Sequence, residues 1–166
     1  MVFDAAQLRD QWPQIRDVVR QANVLVLASV SPEGFPHMTP IGSLHLGEDC
    51  AGHYLERFPV ELVKNIAHSD RVEVLALNSK PSTWLRAMLK GRFDSLPGLR
   101  LRGRAGARRE ATPEERERWA HRVRRLRWMK GHDLLWSEMR LARDLHFDAY
   151  TPIRLGAMTH GLGLGT

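Results

Sequence analysis

The sequence predicts a mainly β protein with peripheral helices (α+β), folded as an antiparallel split β-barrel of six or seven strands. Three observations support this fold class. Short runs that alternate apolar and polar residues recur along the chain, most clearly at 99–108. Tight-turn sequences, such as Ser-Pro-Glu-Gly at 31–34, connect neighbouring runs. Helical segments interrupt the strands irregularly, whereas a parallel sheet requires regular alternation of strand and helix.

The composition fits one domain of 166 residues that buries its own core. Cys50 is the only cysteine, so an intrachain disulfide is excluded. The first residues lack the basic and apolar regions of a signal peptide, and no window approaches the roughly 18 apolar residues that cross a bilayer. We therefore expect a single domain over residues 1–166, located in the cytoplasm and not in a membrane.

The chain is basic, with a formal net charge of +6 and a pI near 10.2. Between residues 100 and 127 it carries eleven arginines and four glutamates. Such clusters can meet phosphate groups, but this one has little aromatic interleaving and no zinc-finger or recognition-helix pattern. The expected role is a solvated basic face or contact with a phosphate-bearing ligand, and nucleic acid ranks last among possible partners.

The first elements follow from local patterns. Residues 1–22 form an N-terminal helical segment, which Pro13 divides into two short helices or one kinked helix. The apolar, β-branched run 24–30 then predicts a buried strand. With its partner at 35–46 it makes a hairpin that begins the barrel.

Alternation and helical periodicity give the remaining elements. Strands are expected at 51–56, 72–76, 99–108, 145–149 and 153–157, and helices at 59–69, 84–89, 112–129 and 134–142. Residues 79–98 and 113–142 are therefore two insertions into the barrel.

The second strand contains Pro36 and Pro40, neither of which has a backbone donor. A strand of this kind cannot be fully paired on both sides, so we expect the peptide groups of Thr39 and Ile41 to be available to a ligand. The alternative is an edge strand whose prolines protect it against aggregation.

These motifs, taken in order, resemble the pyridoxamine 5'-phosphate oxidase superfamily. The matching pieces are 28–42 in the first hairpin, 53–55 in the third strand, and 63–66, 71–74 and 99–105 after it. Members of this superfamily are split barrels that bind a flavin between two subunits. The resemblance implies an FMN-dependent oxidoreductase that acts as a homodimer on a small molecule.

The resemblance also implies which residues hold FMN. They are His37, Thr39, Pro40, Ile41, Tyr54, Leu55, Arg57, Lys64 and Asn65, with Arg100 and Arg102 as further candidates for the phosphate. Relatives carry an Arg-Lys pair that grips the phosphate where this chain has Glu61 and Leu62, and Glu56 is nearby. A carboxylate beside a phosphate is unfavourable unless a cation lies between them. Arg57, Lys64 and the N-terminus of the 59–69 helix are the candidate replacements.

Two alternatives remain open. A deazaflavin could replace FMN, because its acidic tail would suit a face formed by Arg100, Arg102, Arg104 and Arg108. The same barrel could instead be a non-catalytic protein that carries haem or a flavin, or no cofactor at all. No metal site is predicted, because His37 and His45 would lie about 26 Å apart on an extended strand. The sequence identifies neither a catalytic residue nor the substrate.

Overall fold

The computed structural model describes residues 2–57, 60–136 and 139–163. In this part of the chain, seven strands form one antiparallel sheet that is not closed, and six α-helices lie around it. The predicted class, an antiparallel split barrel with peripheral helices, is confirmed. No helix among the described residues is both long enough and apolar enough to cross a membrane.

The elements have the following bounds. The strands are β1 (Val24–Val30), β2 (Pro36–Pro40), β3 (His45–Leu46), β4 (Ala51–Glu56), β5 (Arg71–Leu77), β6 (Gly98–Glu110) and β7 (Leu141–Pro152). The helices are α1 (Ala5–Asp10), α2 (Trp12–Gln21), α3 (Val60–His68), α4 (Pro81–Lys90), α5 (Pro113–Val123) and α6 (Gly131–Trp136), with 3-10 turns at Arg124–Leu126 and Gly156–Thr159. The order across the sheet is β2-β1-β5-β6-β7-β4-β3, so β2 and β3 are its two edges.

The core is built from one face of the central strands. Because side chains alternate along a strand, Leu27, Val74 and Leu101 point inward and are fully buried. The first two helices add Leu8 and Ile15 to the same core. The predicted division of the N-terminal helical segment is confirmed, and the proline that causes it lies in the first turn of α2, where its missing N–H is tolerated.

The predicted hairpin is confirmed in its first part, where Val26 pairs with Pro40 and the turn glycine, Gly34, has a φ of 87°. The prediction that its second strand continues to residue 46 is wrong. The ladder ends at Pro40, and the chain crosses to the opposite sheet edge, where β3 pairs with β4. Ser43 explains the crossing, because its hydroxyl donates to the carbonyl of Leu55 at 3.1 Å and accepts from the Leu55 N–H at 2.9 Å.

The two prolines of β2 protect a sheet edge. The N–H of Ile41 donates to the carbonyl of Leu25 at 2.9 Å, so the prediction that this group is free for a ligand is wrong. Alternation along the ladder places the N–H of Thr39 on the same, paired side. Pro36 and Pro40 therefore occupy the outer side, where they remove the donors that another strand would use.

Three predicted elements towards the C-terminus are wrong. The helix expected to reach residue 129 ends at Val123 and continues as a 3-10 turn. The helix expected at 134–142 is replaced by α6, and β7 already begins at Leu141, because pairing with β4 and β6 outweighs the local helical period. Residues 137 and 138 of that prediction lie outside the described residues. The last predicted strand, 153–157, is instead a turn in which the hydroxyl of Thr159 accepts from the N–H of Leu155 at 2.8 Å.

Candidate functional site

A cavity of about 290 Å³ lies between the β2–β3 connection, β4 and the helices α5 and α6. We call it the helix-covered cavity. It is lined by Thr39, Pro40, Ile41, Gly42, Ser43, Tyr54, Leu55, Arg57, Trp119, Leu135, Trp136 and Met139. Its lining is mainly apolar, and its size is close to the lower end of the range for small-molecule sites, about 300–1,000 Å³.

Six residues predicted to bind a cofactor line this cavity. They are Thr39, Pro40, Ile41, Tyr54, Leu55 and Arg57. Three of them come from the end of β2 and the residue after it, and three from β4 and the residue after that strand. These two strands lie near opposite edges of the sheet order. The structure thus brings the two groups together, and their role in binding a cofactor remains a prediction.

The other five predicted ligands, among them Arg100 and Arg102 of β6, lie outside the lining. His37 is half-buried, and its Nδ1 lies 3.4 Å from the hydroxyl of the threonine two residues later. Lys64 is exposed and forms an ion pair with Glu61 at 2.9 Å. Asn65 is buried, and its Nδ2 donates to the hydroxyl of Ser29 at 3.0 Å. The Asn65 amide therefore connects α3 to β1.

The outer face of β6 is less positive than the sequence suggests, because its arginines are paired. Arg100 and Arg102 lie 3.8 Å and 2.8 Å from Glu73, and Arg104 lies 3.0 Å from Asp70. The prediction that Arg108 shares this face is wrong. A register shift between Ala105 and Arg108 breaks the alternation, and the Arg108 Nε donates to Glu56 at 2.7 Å.

Glu56, at the end of β4, is only 3% exposed, and its charge is balanced inside the chain. Besides Arg108, its carboxylate accepts from the Nε and Nη2 of Arg143, both at 3.3 Å. The hydroxyl of Tyr54 donates to the same carboxylate at 3.2 Å, and burial raises the pKa of Tyr54 far above its usual value. Because two guanidinium groups neutralise it, Glu56 does not oppose a phosphate bound in the cavity.

A second ionic cluster holds α5 against the sheet. The guanidinium of Arg109 lies 2.7 Å from Glu115 and 2.6 Å from Asp144. Its hydrogen bonds lower the pKa of Glu115 to about 2. Thr112 caps the helix by accepting from the N–H of Glu115. Trp119 follows one turn later, so this cluster fixes the tryptophan that covers the cavity.

Trp119 carries a buried donor at the cavity wall. Its indole Nε1 has no hydrogen-bond acceptor among the described residues, and its ring meets Trp136 edge to face with centroids 6.4 Å apart. A buried donor without an acceptor is unfavourable, and an acceptor on a bound ligand would satisfy it. Flavin and deazaflavin rings are flat, largely apolar and edged with carbonyl acceptors, so the lining fits a ring of this kind.

The sequence did not identify the residues that cover the cavity. Trp119 lies within the helix predicted at 112–129, and Trp136 and Met139 lie within the predicted helix at 134–142 that the structure replaces. Helical periodicity gives the direction of an apolar stripe but not what it packs against.

Comparisons with known proteins give the family and the fold. The family model for pyridoxamine 5'-phosphate oxidase matches residues 11–147. An FMN-binding protein from Syntrophomonas wolfei subsp. wolfei has a TM-score of 0.59 at 11% identity, over 89% of this chain and 88% of that one. HupZ from Group A Streptococcus has a TM-score of 0.57 at 16% identity, over 88% and 96%. An F420 reductase has a TM-score of 0.53 at 13% identity, over 82% and 94%.

At such identities the solved structures establish a shared fold. No curated protein matches the sequence. The family model spans most of the chain, from α2 into β7, and includes the strands whose residues line the helix-covered cavity. The chain therefore belongs to the pyridoxamine 5'-phosphate oxidase family.

Proposed function

We propose that this protein is an FMN-dependent oxidoreductase that holds the flavin ring in the helix-covered cavity. The observation that carries the proposal is the meeting of six sequence-predicted ligands with two tryptophans at one apolar cavity. Family membership and the fold shared with an FMN-binding protein support it. When bound, the flavin supplies the electron chemistry, and the protein supplies its position and surroundings.

Different lining residues would position the flavin ring, shield it from water and contact its phosphate. Ile41 and Leu55 form apolar walls against the ring, and Trp119 and Trp136 exclude water from above it. The Trp119 Nε1 would donate to an acceptor at the ring edge. Arg57 is the one charged residue among the described residues of the lining, which makes it the candidate contact for the phosphate.

A deazaflavin is the second candidate, because its ring has the same shape and the structurally similar proteins include an F420 reductase. The absorbance spectrum of the purified protein separates the candidates, since FMN, a deazaflavin and haem have different bands. Reconstitution with each cofactor, followed by gel filtration, identifies which of them the protein retains. A protein that takes up neither FMN nor a deazaflavin would overturn the proposal.

Gly42 gives a direct test of the cavity. A Cβ at this position would lie 3.6 Å from the Trp119 ring, so a larger side chain would occupy the space below the indole. We expect Gly42→Leu to weaken FMN binding by about 5- to 150-fold, because its side chain would take space that the ring needs and overpacking typically costs 1–3 kcal/mol. Quenching of flavin fluorescence during titration measures the affinity.

Gly42→Ala is the matched control, since one methyl group at 3.6 Å makes an ordinary contact. It should bind FMN like the wild type. Gly42 is exposed, so both variants should melt at the wild-type temperature. Unchanged FMN affinity in Gly42→Leu would place the ring outside this cavity.

We also propose that the protein acts as a homodimer with the cofactor at the interface. Support comes from the β1–β2 hairpin, where Phe35 and Met38 are 72% and 71% exposed, since exposed apolar side chains of this size often mark an interface. Gel filtration should give twice the chain mass of 19.0 kDa. Met38→Lys should shift the protein towards the monomer, and a wild type that is strictly monomeric would contradict the proposal.

A further inference from the structure

A second cavity, of about 300 Å³, lies where α2, β3 and α5 meet. We call it the arginine cavity. Arg16 and Arg20 of α2, His45 of β3 and Arg122 of α5 line it together with aliphatic side chains, and no carboxylate is among its described lining residues. Because these cations come from elements far apart in the sequence, the fold itself brings them together.

The positive charge of this cavity is largely uncompensated. Arg16 and Arg122 have no carboxylate within ion-pair distance among residues 2–57, 60–136 and 139–163. Arg20 pairs with Asp17 at 2.9 Å, so Arg16 and Arg122 supply most of the positive charge of the cavity. The arginines of β6 described above differ from Arg16 and Arg122, because each of them has a carboxylate partner.

His45 experiences the same positive potential. Its ring lies tilted at 49° to the ring of His53, with the centroids 5.4 Å apart. Burial is the main cause that lowers the pKa of His45 to about 4, and the neighbouring cations add to it. The charged and titratable groups around it are Arg16 and Arg20 on α2, His53 on β4, and Glu115, Arg118 and Arg122 on α5. The one carboxylate, Glu115, lies 3.5 Å from His53 and is held by Arg109.

We propose that Arg16, Arg20 and Arg122 form a binding site for a phosphate group. Guanidinium groups suit this ligand, because their planar N–H forks match the oxygens of phosphate and stay charged at all physiological pH values. Uncompensated arginines around a concave site also attract anions from solution. The site goes beyond the proposed flavin function, since none of its arginines lines the helix-covered cavity.

A narrow cleft of about 120 Å³ lies between the two cavities. It shares His45 and Arg122 with the arginine cavity, and Leu55 and Trp119 with the helix-covered cavity. The phosphate group therefore has two possible sources. It belongs either to the molecule that occupies the helix-covered cavity or to a separate phosphorylated molecule.

The test is an NMR titration of the full chain with inorganic phosphate at constant ionic strength, following the ring proton of His45. The His45→Gln variant assigns this resonance. In the wild type we expect a saturable shift and a pKa of His45 that rises from about 4, because a bound anion stabilises the charged imidazole. Arg16→Gln and Arg122→Gln should each weaken phosphate binding at least about tenfold.

Arg125→Gln is the matched control, because it removes the same charge from an exposed position outside the cavity. It should bind phosphate like the wild type. A shift that does not saturate, or an equal loss of phosphate affinity in Arg125→Gln, would mean non-specific attraction of anions. Either result would overturn the proposed site. Gly42→Leu should leave phosphate binding intact, so the failure of the flavin proposal and the failure of this one are distinguishable.

The source of the phosphate group follows from the same variants. If Arg122→Gln weakens binding of both FMN and inorganic phosphate, the arginine cavity holds the phosphate of the cofactor. If it weakens only the binding of inorganic phosphate, the ligand is a separate phosphorylated molecule. Either result supports the site, whereas wild-type phosphate affinity in both Arg16→Gln and Arg122→Gln contradicts it.

Discussion

Replacing Glu56 with glutamine is expected to lower the free energy of unfolding by about 3–5 kcal/mol. Glu56 and Arg143 are both buried, at 3% and 5% exposure, and the carboxylate lies within hydrogen-bond distance of two arginines. Glutamine leaves the guanidinium of Arg143 buried without a counter-charge. The Nη1 of Arg143 still donates to the carbonyl of Gly106 at 2.8 Å, but this hydrogen bond does not neutralise the charge of the guanidinium. Urea unfolding at pH 7 measures the change.

Glu61→Gln is the matched control for this experiment. Glu61 pairs with Lys64 at 2.9 Å, but both side chains are exposed, so its loss should change stability by less than about 1 kcal/mol. A double variant, Glu56→Leu with Arg143→Met, should recover much of the lost stability, because apolar residues often replace a buried ion pair at little cost. Equal losses in Glu56→Gln and Glu61→Gln would show that the buried pair is not holding the strands together.

Glu56 and its two arginine partners also show what could not be predicted from the sequence. The sequence predicts electrostatic repulsion between Glu56 and a bound phosphate, because Glu56 is close in sequence to the residues expected to hold that phosphate. The partners that remove this conflict, Arg108 and Arg143, lie 52 and 87 residues further along. No local pattern connects residues at such separations, so only the folded sheet reveals that the carboxylate is neutralised.

Local sequence patterns were sufficient to predict the strands whose own residues determine their secondary structure. The apolar run at 24–30 and the short strand at 51–56 were predicted with the bounds of β1 and β4. The resemblance to a known family then selected residues near the end of β2 and in β4 that line one cavity. Neither approach predicted that Trp119 and Trp136 cover the cavity. A helix that covers a cavity and a helix that packs on a core have the same periodicity.

Errors arose where long-range pairing overrides the local pattern. Helical spacing predicts one helix over 134–142, but Leu141 and Ala142 at its end pair with β4 and β6 in the β7 ladders instead. On β6, the strict alternation of arginines predicts one basic face. A bulge between Ala105 and Arg108 shifts the register, and a shift of one residue moves every following side chain to the other face.

Gly103→Ala is expected to lower the free energy of unfolding by at least about 2 kcal/mol, towards the upper end of the effect of overpacking. Gly103 lies at a register shift where β6 and β7 approach each other closely. A Cβ there would lie 2.0 Å from the carbonyl oxygen of His146 and 2.9 Å from the Cα of Phe147. These are backbone atoms, so no side-chain rotation relieves the contact, and the two strands must separate. Thermal unfolding followed by circular dichroism measures the loss.

Gly106→Ala separates this steric effect from the general effect of replacing a glycine. Gly106 is on the same strand, but its Cβ would lie 3.5 Å from the carbonyl oxygen of Asp144, which is an ordinary contact. Because alanine also reduces the freedom of the unfolded chain, this variant should be as stable as the wild type or more stable by up to about 1 kcal/mol. If both variants unfold at the same temperature, β6 and β7 do not approach at Gly103 as closely as the structure shows. A loss confined to Gly103→Ala shows that this approach requires glycine.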